Sequence, residues 1–411
     1  MNIQTIIMII VFLLWIIIAV NVMYVLFFAL ASLLPKRVPS PVLRPCGSKR
    51  AEFERTLHPS PYTFLVLFPA YHEDAVILNS VKTFLQQDYP KDYYQVVVIS
   101  DHMNPETNEA LSQLPITLLQ PTFEQSSKAK ALQYAIPSPV TLHPSPYNYV
   151  VILDADNIVA PIFLTELSKI ANHNIAIQCH RTAKNADNDI AAWDGLSEEI
   201  NNSLFRKGHN RIGMSSALIG SGMCFNYDWF KENVTKLDSA VEDRELEALL
   251  MKQGIYIHYA EDIHVMDEKV SNSDNFQRQR LRWMTGQVQA FFQMLPYIPN
   301  AIITGNINYI DKTIQQALIP RSILLVLTPL FAFISLIIAF LIPHLSFLIY
   351  LWWPLFAILI AAILIAIPAP LRSTALLGKI VALPKLVWRM IANILKIDHK
   401  NTTFFHTTHN K

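Results

Sequence analysis

The segment Tyr149-Val150-Val151-Ile152-Leu153-Asp154-Ala155-Asp156-Asn157 decides the fold. Residues 150–153 form a short apolar run rich in β-branched side chains, the composition of a strand covered on both faces in a parallel sheet. The run stops at Asp154 and Asp156, and side chains at that i, i+2 spacing leave an extended chain on the same side. Open α/β sheets bind ligands beyond the carboxyl ends of their strands. Paired carboxylates there can share a hard divalent cation, and the cation can hold a diphosphate. Taken alone, Asp-x-Asp equally describes a strand that ends in a capped turn, and the rest of the chain has to decide between the two.

On either side of this segment, strand and helix patterns alternate. Strands are predicted at 62–68, 93–100, 116–119 and 174–179, with helices at 74–87, 105–114, 128–135 and 161–171. Repeated β-α-β-α predicts a doubly wound, mostly parallel sheet. A Gly-x-Gly-x-x-Gly loop is missing, so a dinucleotide fingerprint is absent. Farther along, 187–207 reads as a helix with Trp193 in the core. Glu242-Asp243 opens a helix ending at Lys252, 255–259 and 263–266 read as two short strands, and 275–293 as a helix.

Of the 411 residues 52% are apolar and only 16% charged, which is low for a soluble protein. The excess is concentrated at 3–34, 323–342 and 347–367, each long enough for a bilayer crossing, which takes about 20 residues. Lys36, Arg37, Arg44, Lys49 and Arg50 follow the first run, and Arg372, Lys379, Lys385, Arg389, Lys396 and Lys400 follow the last. By the positive-inside rule both flanks are cytoplasmic, so the N-terminus lies outside and the central domain inside. The expected organisation is a transmembrane helix at 1–35, a basic Pro-rich linker at 36–60, a cytoplasmic domain at 61–290, an interfacial segment at 291–320, a transmembrane hairpin at 321–370 and a basic amphipathic tail at 371–411. The net charge of +1 gives no case for nucleic acid. Cys46, Cys179 and Cys224 show neither paired nor metal-ligand spacing, which suits a reducing compartment.

Four signals fall on strand ends or loops of the central domain: Asp101, Asp154-Ala155-Asp156, Glu242-Asp243, and Gln279-Arg280-Leu281-Arg282-Trp283. These are parts that transfer from a nucleotide-activated sugar requires. A carboxylate reads base or ribose, metal-holding carboxylates neutralise the diphosphate, and a carboxylate base takes the acceptor's proton. Arg donates to phosphate oxygens, and Trp offers a flat face to a sugar ring.

In this order the motifs resemble those of the membrane-bound family 2 glycosyltransferases, the group of cellulose, chitin, hyaluronan and poly-N-acetylglucosamine synthases. Pro69-Ala70-Tyr71-His72-Glu73 is similar to the family's Pro-Ala-Tyr-Asn-Glu loop, and Gln87-Asp88-Tyr89-Pro90 to its Gln-Asp-Tyr-Pro. Asp101 stands at the strand end whose Asp contacts uridine. Lys128-Ala129-Lys130-Ala131-Leu132 resembles Gly-Lys-Ala-x-Ala-Leu, read here with Lys130 at the Lys. Gly220-Ser221-Gly222-Met223 resembles the Gly-Thr-Gly-Met loop on the acceptor side, Glu242-Asp243 the Thr-Glu-Asp motif, and Gln279 to Trp283 the Gln-x-x-Arg-Trp motif. The departures are His72 for Asn, Ser100 before Asp101 for a second Asp, and Val241 for Thr. Only two long apolar segments follow the domain, where polymer synthases carry more crossings to form a channel.

The resemblance implies a GT-A-type, mixed but mostly parallel α/β domain between one N-terminal and two C-terminal transmembrane helices, in the inner membrane. It implies inverting transfer of a hexose or N-acetylhexosamine from a UDP-sugar with Mg²⁺ or Mn²⁺. Asp154 and Asp156 would hold the metal and Asp243, aided by Glu242, would be the base. Asp101, Glu73, Lys130, Asp154, Gln279, Arg282 and Trp283 would bind the donor, with Gly220, Ser221, Gly222 and Trp283 on the acceptor side. The acceptor is a glycan or a lipid-linked sugar, and a second copy or an export partner would complete any channel. The alternatives are a single-sugar transferase acting on a lipid carrier and an inactive nucleotide-binding scaffold.

Overall fold

The computed structural model describes residues 3–36, 61–136, 147–172, 174–185, 189–238, 241–269 and 273–372. The expected linker, with Cys46, and the basic tail beyond Arg372 lie outside the described residues.

The chain begins with α1 (Ile3–Ser32), a 30-residue helix without a charged side chain. The central domain then runs β1 (Phe64–Tyr71), α2 (Ile77–Phe84), β2 (Tyr94–Asp101), α3 (Pro105–Ser112), β3 (Thr117–Leu119), α4 (Lys128–Ala135), β4 (Tyr149–Ile152), β5 (Ile158–Val159), α5 (Phe163–Ala171) and β6 (Ala176–Ala183). There follow α6 (Asp189–Asn201), β7 (Met223–Asn226), α7 (Tyr227–Val234), α8 (Glu242–Lys252), β8 (Ile257–Asp267) and α9 (Ser273–Met294). Two short helices, α10 (Ile298–Ile303) and α11 (Ile307–Ala317), lead to α12 (Arg321–Leu341) and α13 (Phe347–Ala366).

The strands form one eight-stranded sheet in the order β3-β2-β1-β4-β7-β6-β8-β5. β1, β2, β3 and β4 are mutually parallel, β6 is parallel to β8, and β7 and β5 run against their neighbours. The period of two along each strand sorts the apolar side chains onto two faces. Phe64, Val66 and Phe68 of β1 pack with Val151, Ile77, Phe84 and Phe163 on one face. Leu65 and Leu67 pack with Val150, Ile152, Leu132, Phe230 and Leu246 on the other. Helices therefore cover both sides, as an all-apolar run such as 150–153 requires.

Three differences from the expected elements have physical causes. The two short strands at 255–259 and 263–266 are one strand, β8, whose register against β6 shifts between Cys179 and His180, a bulge that a polar interruption at Glu261-Asp262 makes look like a break. The helix at 74–87 is shorter, because Glu73 and Asp74 belong to the turn after β1 and the Asp74 carboxylate accepts from Asn104 N at 2.8 Å. The helix at 187–207 continues past α6 as a π-helical stretch, Asn202–Gly208, and a last turn, His209–Arg211.

That stretch is where α1 docks. Phe28 stacks on His209 at 3.6 Å, and Tyr24 OH donates to Asp311 Oδ1 at 2.7 Å. Asn21 Oδ1 accepts from Ile319 N at 2.8 Å. Val25, Phe28 and Ala29 bury against Leu196, Ile200 and Leu204 and against Ala362 and Ala366 of α13. Among the described residues three helices, α1, α12 and α13, are long and apolar enough to cross a membrane. The α12–α13 hairpin places the start of α12 beside the end of α13. Gly208 is required for this contact, since a Cβ there would come within 2.5 Å of the Phe28 carbonyl oxygen and 3.0 Å of that of Ser203. Gly208→Ala is expected to destabilise the protein by about 1–3 kcal/mol, as overpacking does. Thermal unfolding in detergent measures this, and an unchanged midpoint would show that α1 is not held there.

Candidate active site

Parallel registration places the strand ends side by side. Tyr71 pairs with Asp101 at the ends of β1 and β2, and Leu153 N bonds Leu67 O just before Asp154. The antiparallel β7 starts where β4 ends, with Met223 opposite Ile152, so the turn before β7 lies against the Asp154 loop. All of this faces a cavity of about 620 Å³.

Glu73, Asp101, Asp154, Asp156, Gly220, Glu242, Asp243, Gln279, Arg282 and Trp283 all line this cavity. They come from four strand ends and the first turns of α8 and α9's middle, so distant parts of the chain converge. Asp101 is 3% exposed, and its Oδ1 lies 2.6 Å from His102 Nδ1. His72 and His102 flank it with φ of 54° and 55°, a left-handed conformation uncommon outside Gly and characteristic of functional turns. Asp156 is fixed from two sides, by Glu268 N at 2.7 Å on one oxygen and by the Asn157 amide at 3.0 Å on the other. Asp154 N donates to Asn157 Oδ1 at 2.9 Å.

Lys128, the first residue of α4, is the cation among these carboxylates. Its ammonium donates to Asp154 Oδ1 and Gly220 O and lies 3.4 Å from Glu242 Oε1. Burial opposes its charge, but Asp154 and Glu242 outweigh burial and hold it above the ordinary lysine range. Lys130 is not in the cavity, and its ammonium donates to Gln125 O at the surface. The motif register explains the difference: Ala129-x-Ala131-Leu132 aligned from its Leu puts Lys128 at the Lys and Ser127 at the Gly. Ser127 caps α4 by accepting from Lys130 N at 3.2 Å.

The Gly220-Ser221-Gly222 turn also divides. Gly220 (φ 76°) faces the carboxylates, and a Cβ there would lie 3.6 Å from Asp243 Oδ2 and 3.7 Å from Glu242 Oε1. Ser221 and Gly222 do not line the cavity. Ser221 is fully buried and its hydroxyl donates to Asn157 Oδ1, while Gly222 makes room for Val265 and Cys179. They support the Asp154 loop from below.

Trp193, expected in the core, packs partly buried against the cluster of Leu196, Ile200 and Phe28 and also lines the cavity. Trp283 is set by Arg280, whose guanidinium lies over the indole at 4.7 Å and pairs with Asp194. Sequence reading also missed the charged floor. Glu198 accepts from Arg181 at 3.2 Å and Arg206 at 3.1 Å, and Lys269 pairs with Asp267 at 2.9 Å. Burial opposes ionisation of Glu198, but these cations hold it down at about 2. No local spacing announces the network, because its members come from α6, β6, β8 and the π-helical stretch.

Glu242 behaves oppositely. Burial, together with Asp243 and Asp154, pushes it up to about 7 against the pull of Lys128. The folded protein then binds more protons than the unfolded chain between the ordinary carboxylate range and pH 7. This group's contribution to stability is present in acid and is lost as pH rises through that window. Glu242→Gln, which keeps the uncharged shape, should therefore raise the unfolding temperature more at pH 8 than at pH 5. Equal shifts at both pH values would contradict this.

Among the described residues no group of three or more His, Cys, Asp or Glu side chains is arranged to enclose a metal. Asp154 and Asp156 nevertheless suit a small hard cation, which is commonly held by one or two carboxylates together with substrate phosphates.

The sequence pattern of glycosyl transferase family group 2 matches residues 149–371, more than half of the chain. The chain belongs to this family. Glycosyl transferase family 2 also matches, over residues 65–232. The glycosyltransferase has a GT-A-type fold, a mixed and mostly parallel α/β sheet, and three helices that are candidate membrane spans. Similar solved structures include the mannosyltransferase PcManGT from Pyrobaculum calidifontis in complex with GDP-Man and Mn²⁺, at 17% identity, 92% of this chain, 97% of that chain and a TM-score of 0.45. TarS 1–349 of S. aureus is 14% identical over 82% of this chain and 90% of that chain, with a TM-score of 0.40. Glucosyl-3-phosphoglycerate synthase from Mycobacterium tuberculosis, in complex with Mn²⁺, UDP and phosphoglyceric acid, is 15% identical over 56% and 78%, with a TM-score of 0.36. No curated protein sequence matches the glycosyltransferase.

Proposed function

We propose that this glycosyltransferase is an inverting enzyme that moves a hexose or N-acetylhexosamine from a UDP-sugar to a glycan or glycolipid acceptor at the cytoplasmic face of a membrane. One observation carries the reading: a single cavity gathers Asp101, Asp154, Asp156, Asp243, Arg282 and Trp283. Asp101 accepts from the nucleoside, and Arg282 and Lys128 face the diphosphate oxygens. A Mg²⁺ or Mn²⁺ ion bound through Asp154 and Asp156 would neutralise the leaving diphosphate. Asp243 takes the proton from the acceptor hydroxyl as its oxygen attacks the anomeric carbon, and Glu242 shares the charge beside it. Trp283, pinned by Arg280, offers its free face to the acceptor sugar.

The membrane placement rests on the basic flanks of α1 and α13 and on topology. The domain leaves α1 at its C-terminal end and joins α12 at its N-terminal end, so it lies on one side of the bilayer. Phe292, Ile302, Ile303 and Ile307 are exposed in the 291–320 segment, with Ile303 at 85%, which supports an interfacial seat there. Three candidate spans among the described residues are few to enclose a growing polymer, which favours a short product over export in the manner of the larger synthases.

A single displacement inverts the anomeric configuration. Proton NMR of the first product formed tests this, since a β-linked product from an α-linked donor is expected. Retention would exclude a single back-side displacement and would overturn the assignment of Asp243 as its base.

A further inference from the structure

The cavity does not end at the carboxylates. The same continuous space is lined by Val25 of α1, Leu325 of α12, and Ile360, Ile363, Leu364 and Ile367 of α13. These are the ends of three candidate membrane helices that meet the catalytic domain. Leu364, which lines the cavity, is 42% exposed, so the three helices leave apolar surface for an occupant to cover.

Between the apolar end and the carboxylates stands Arg321, the first residue of α12. One nitrogen of its guanidinium, Nη2, donates to Ser197 O at 3.0 Å and to Asn201 Oδ1 at 2.7 Å. These partners are neutral, and among the described residues no carboxylate lies within 4.0 Å of Arg321. Arg181 and Arg206, by contrast, share Glu198, and Arg280 has Asp194. The neck adjoins the Asp243 side of the cavity, because Arg244 donates to Gln316 and Gln287 donates to Leu318 O at 2.8 Å, both just ahead of Arg321.

We propose that this end of the cavity is an acceptor site for an anionic phospholipid whose head carries a hydroxyl. The inference rests on the glycosyl-transfer reading and deepens it. The tail lies among Val25, Ile360, Ile363 and Leu364, and the phosphate sits on Arg321 with the start of α12 behind it. The head's hydroxyl reaches Asp243. An uncharged lipid would leave the Arg321 guanidinium with neutral hydrogen-bond partners and, as nearby counter-charge, only Glu198, already shared by Arg181 and Arg206, which is costly. A soluble phosphate would leave the apolar groove unfilled. In the transfer itself the hydroxyl oxygen bonds to the anomeric carbon and its proton passes to Asp243. The bond from the anomeric carbon to the diphosphate breaks, and the nucleoside diphosphate leaves with the electron pair.

Native mass spectrometry of the purified full chain, titrated with phosphatidylglycerol, diacylglycerol or soluble glycerol 3-phosphate, tests the site without using activity. Phosphatidylglycerol should bind about tenfold or more tightly than either of the others. Arg321→Gln should erase that preference, Arg321→Lys should restore most of it, and Ile363→Trp should weaken both lipids. Equal binding of diacylglycerol, equal binding of glycerol 3-phosphate, or a preference that survives Arg321→Gln would overturn the proposal. A second arm supplies labelled UDP-sugars to membranes containing the protein. Label in the organic phase as a single-sugar adduct supports the proposal, whereas a water-soluble ladder overturns it and leaves glycosyl transfer standing. If no donor is consumed, the transfer reading falls, and the binding titration alone decides the lipid site.

Discussion

Replacing Asp243 by Asn is expected to lower kcat for sugar transfer by about 10³-fold, the scale of a lost general base. Binding of a nucleoside diphosphate should stay within about threefold of the parent. Asn keeps the side chain's volume and can still meet Arg244 N, which donates to Asp243 Oδ1 at 2.8 Å. It cannot receive a proton from an attacking hydroxyl. The position also suits a carboxylate, because Asp243 lies in the first turn of α8, where the helix dipole favours negative charge. Steady-state product formation with parallel calorimetric titration of UDP separates the two effects. Full activity of Asp243→Asn would remove the base assignment, and a parallel loss of UDP binding would instead make Asp243 part of the donor site.

The second large effect concerns Lys128. Lys128→Ala should cost at least about 10²-fold in kcat/KM, the scale of a lost charge-stabilising donor. It should also lower stability, by less than the about 3–5 kcal/mol that a fully buried ion pair loses with one partner, because the Asp154 side chain is 35% exposed and solvent screens the pair. Without the ammonium, Asp154 and Glu242 face each other uncompensated, and a diphosphate entering the cavity loses a cation on its wall. Lys130→Ala, two residues away, removes only a surface hydrogen bond to Gln125 O and should stay within about twofold of the parent, as most surface substitutions do. The pair of variants separates a site lysine from a helix lysine. Comparable losses in both would show that the lysines act on the nucleotide together.

The contrast between these lysines marks what could be read from the chain alone. Strands such as 150–153 are legible because their β-branched runs are long enough and end in polar residues, and the sheet's parallel half follows from their alternation with helices. Asp101, Asp154, Asp156, Glu242 and Asp243 each stand at the end of a readable element, and the fold brings all five to one cavity. Lys128 was lost to a two-residue slip in motif register, and nothing in local composition distinguishes it from Lys130. Ser221 and Gly222 look like acceptor-facing residues, but the turn points only Gly220 into the cavity and uses the others to seat Val265 and Asn157. The Arg181–Glu198–Arg206 network and Arg321 could not be found by spacing, since their partners come together only after the sheet closes and α1 and α13 dock. The bulge in β8 was hidden because Glu261 and Asp262 look like a turn, although they sit on the rim of a continuous strand.

One ion and one nucleoside diphosphate are expected to bind together at Asp154 and Asp156. Calorimetric titration of UDP into the purified protein, with Mn²⁺, with chelator, and in Asp156→Asn, measures this. Micromolar binding that requires the ion and disappears in Asp156→Asn is the predicted result. Equal UDP affinity in all three conditions, or no UDP binding in any, would contradict it.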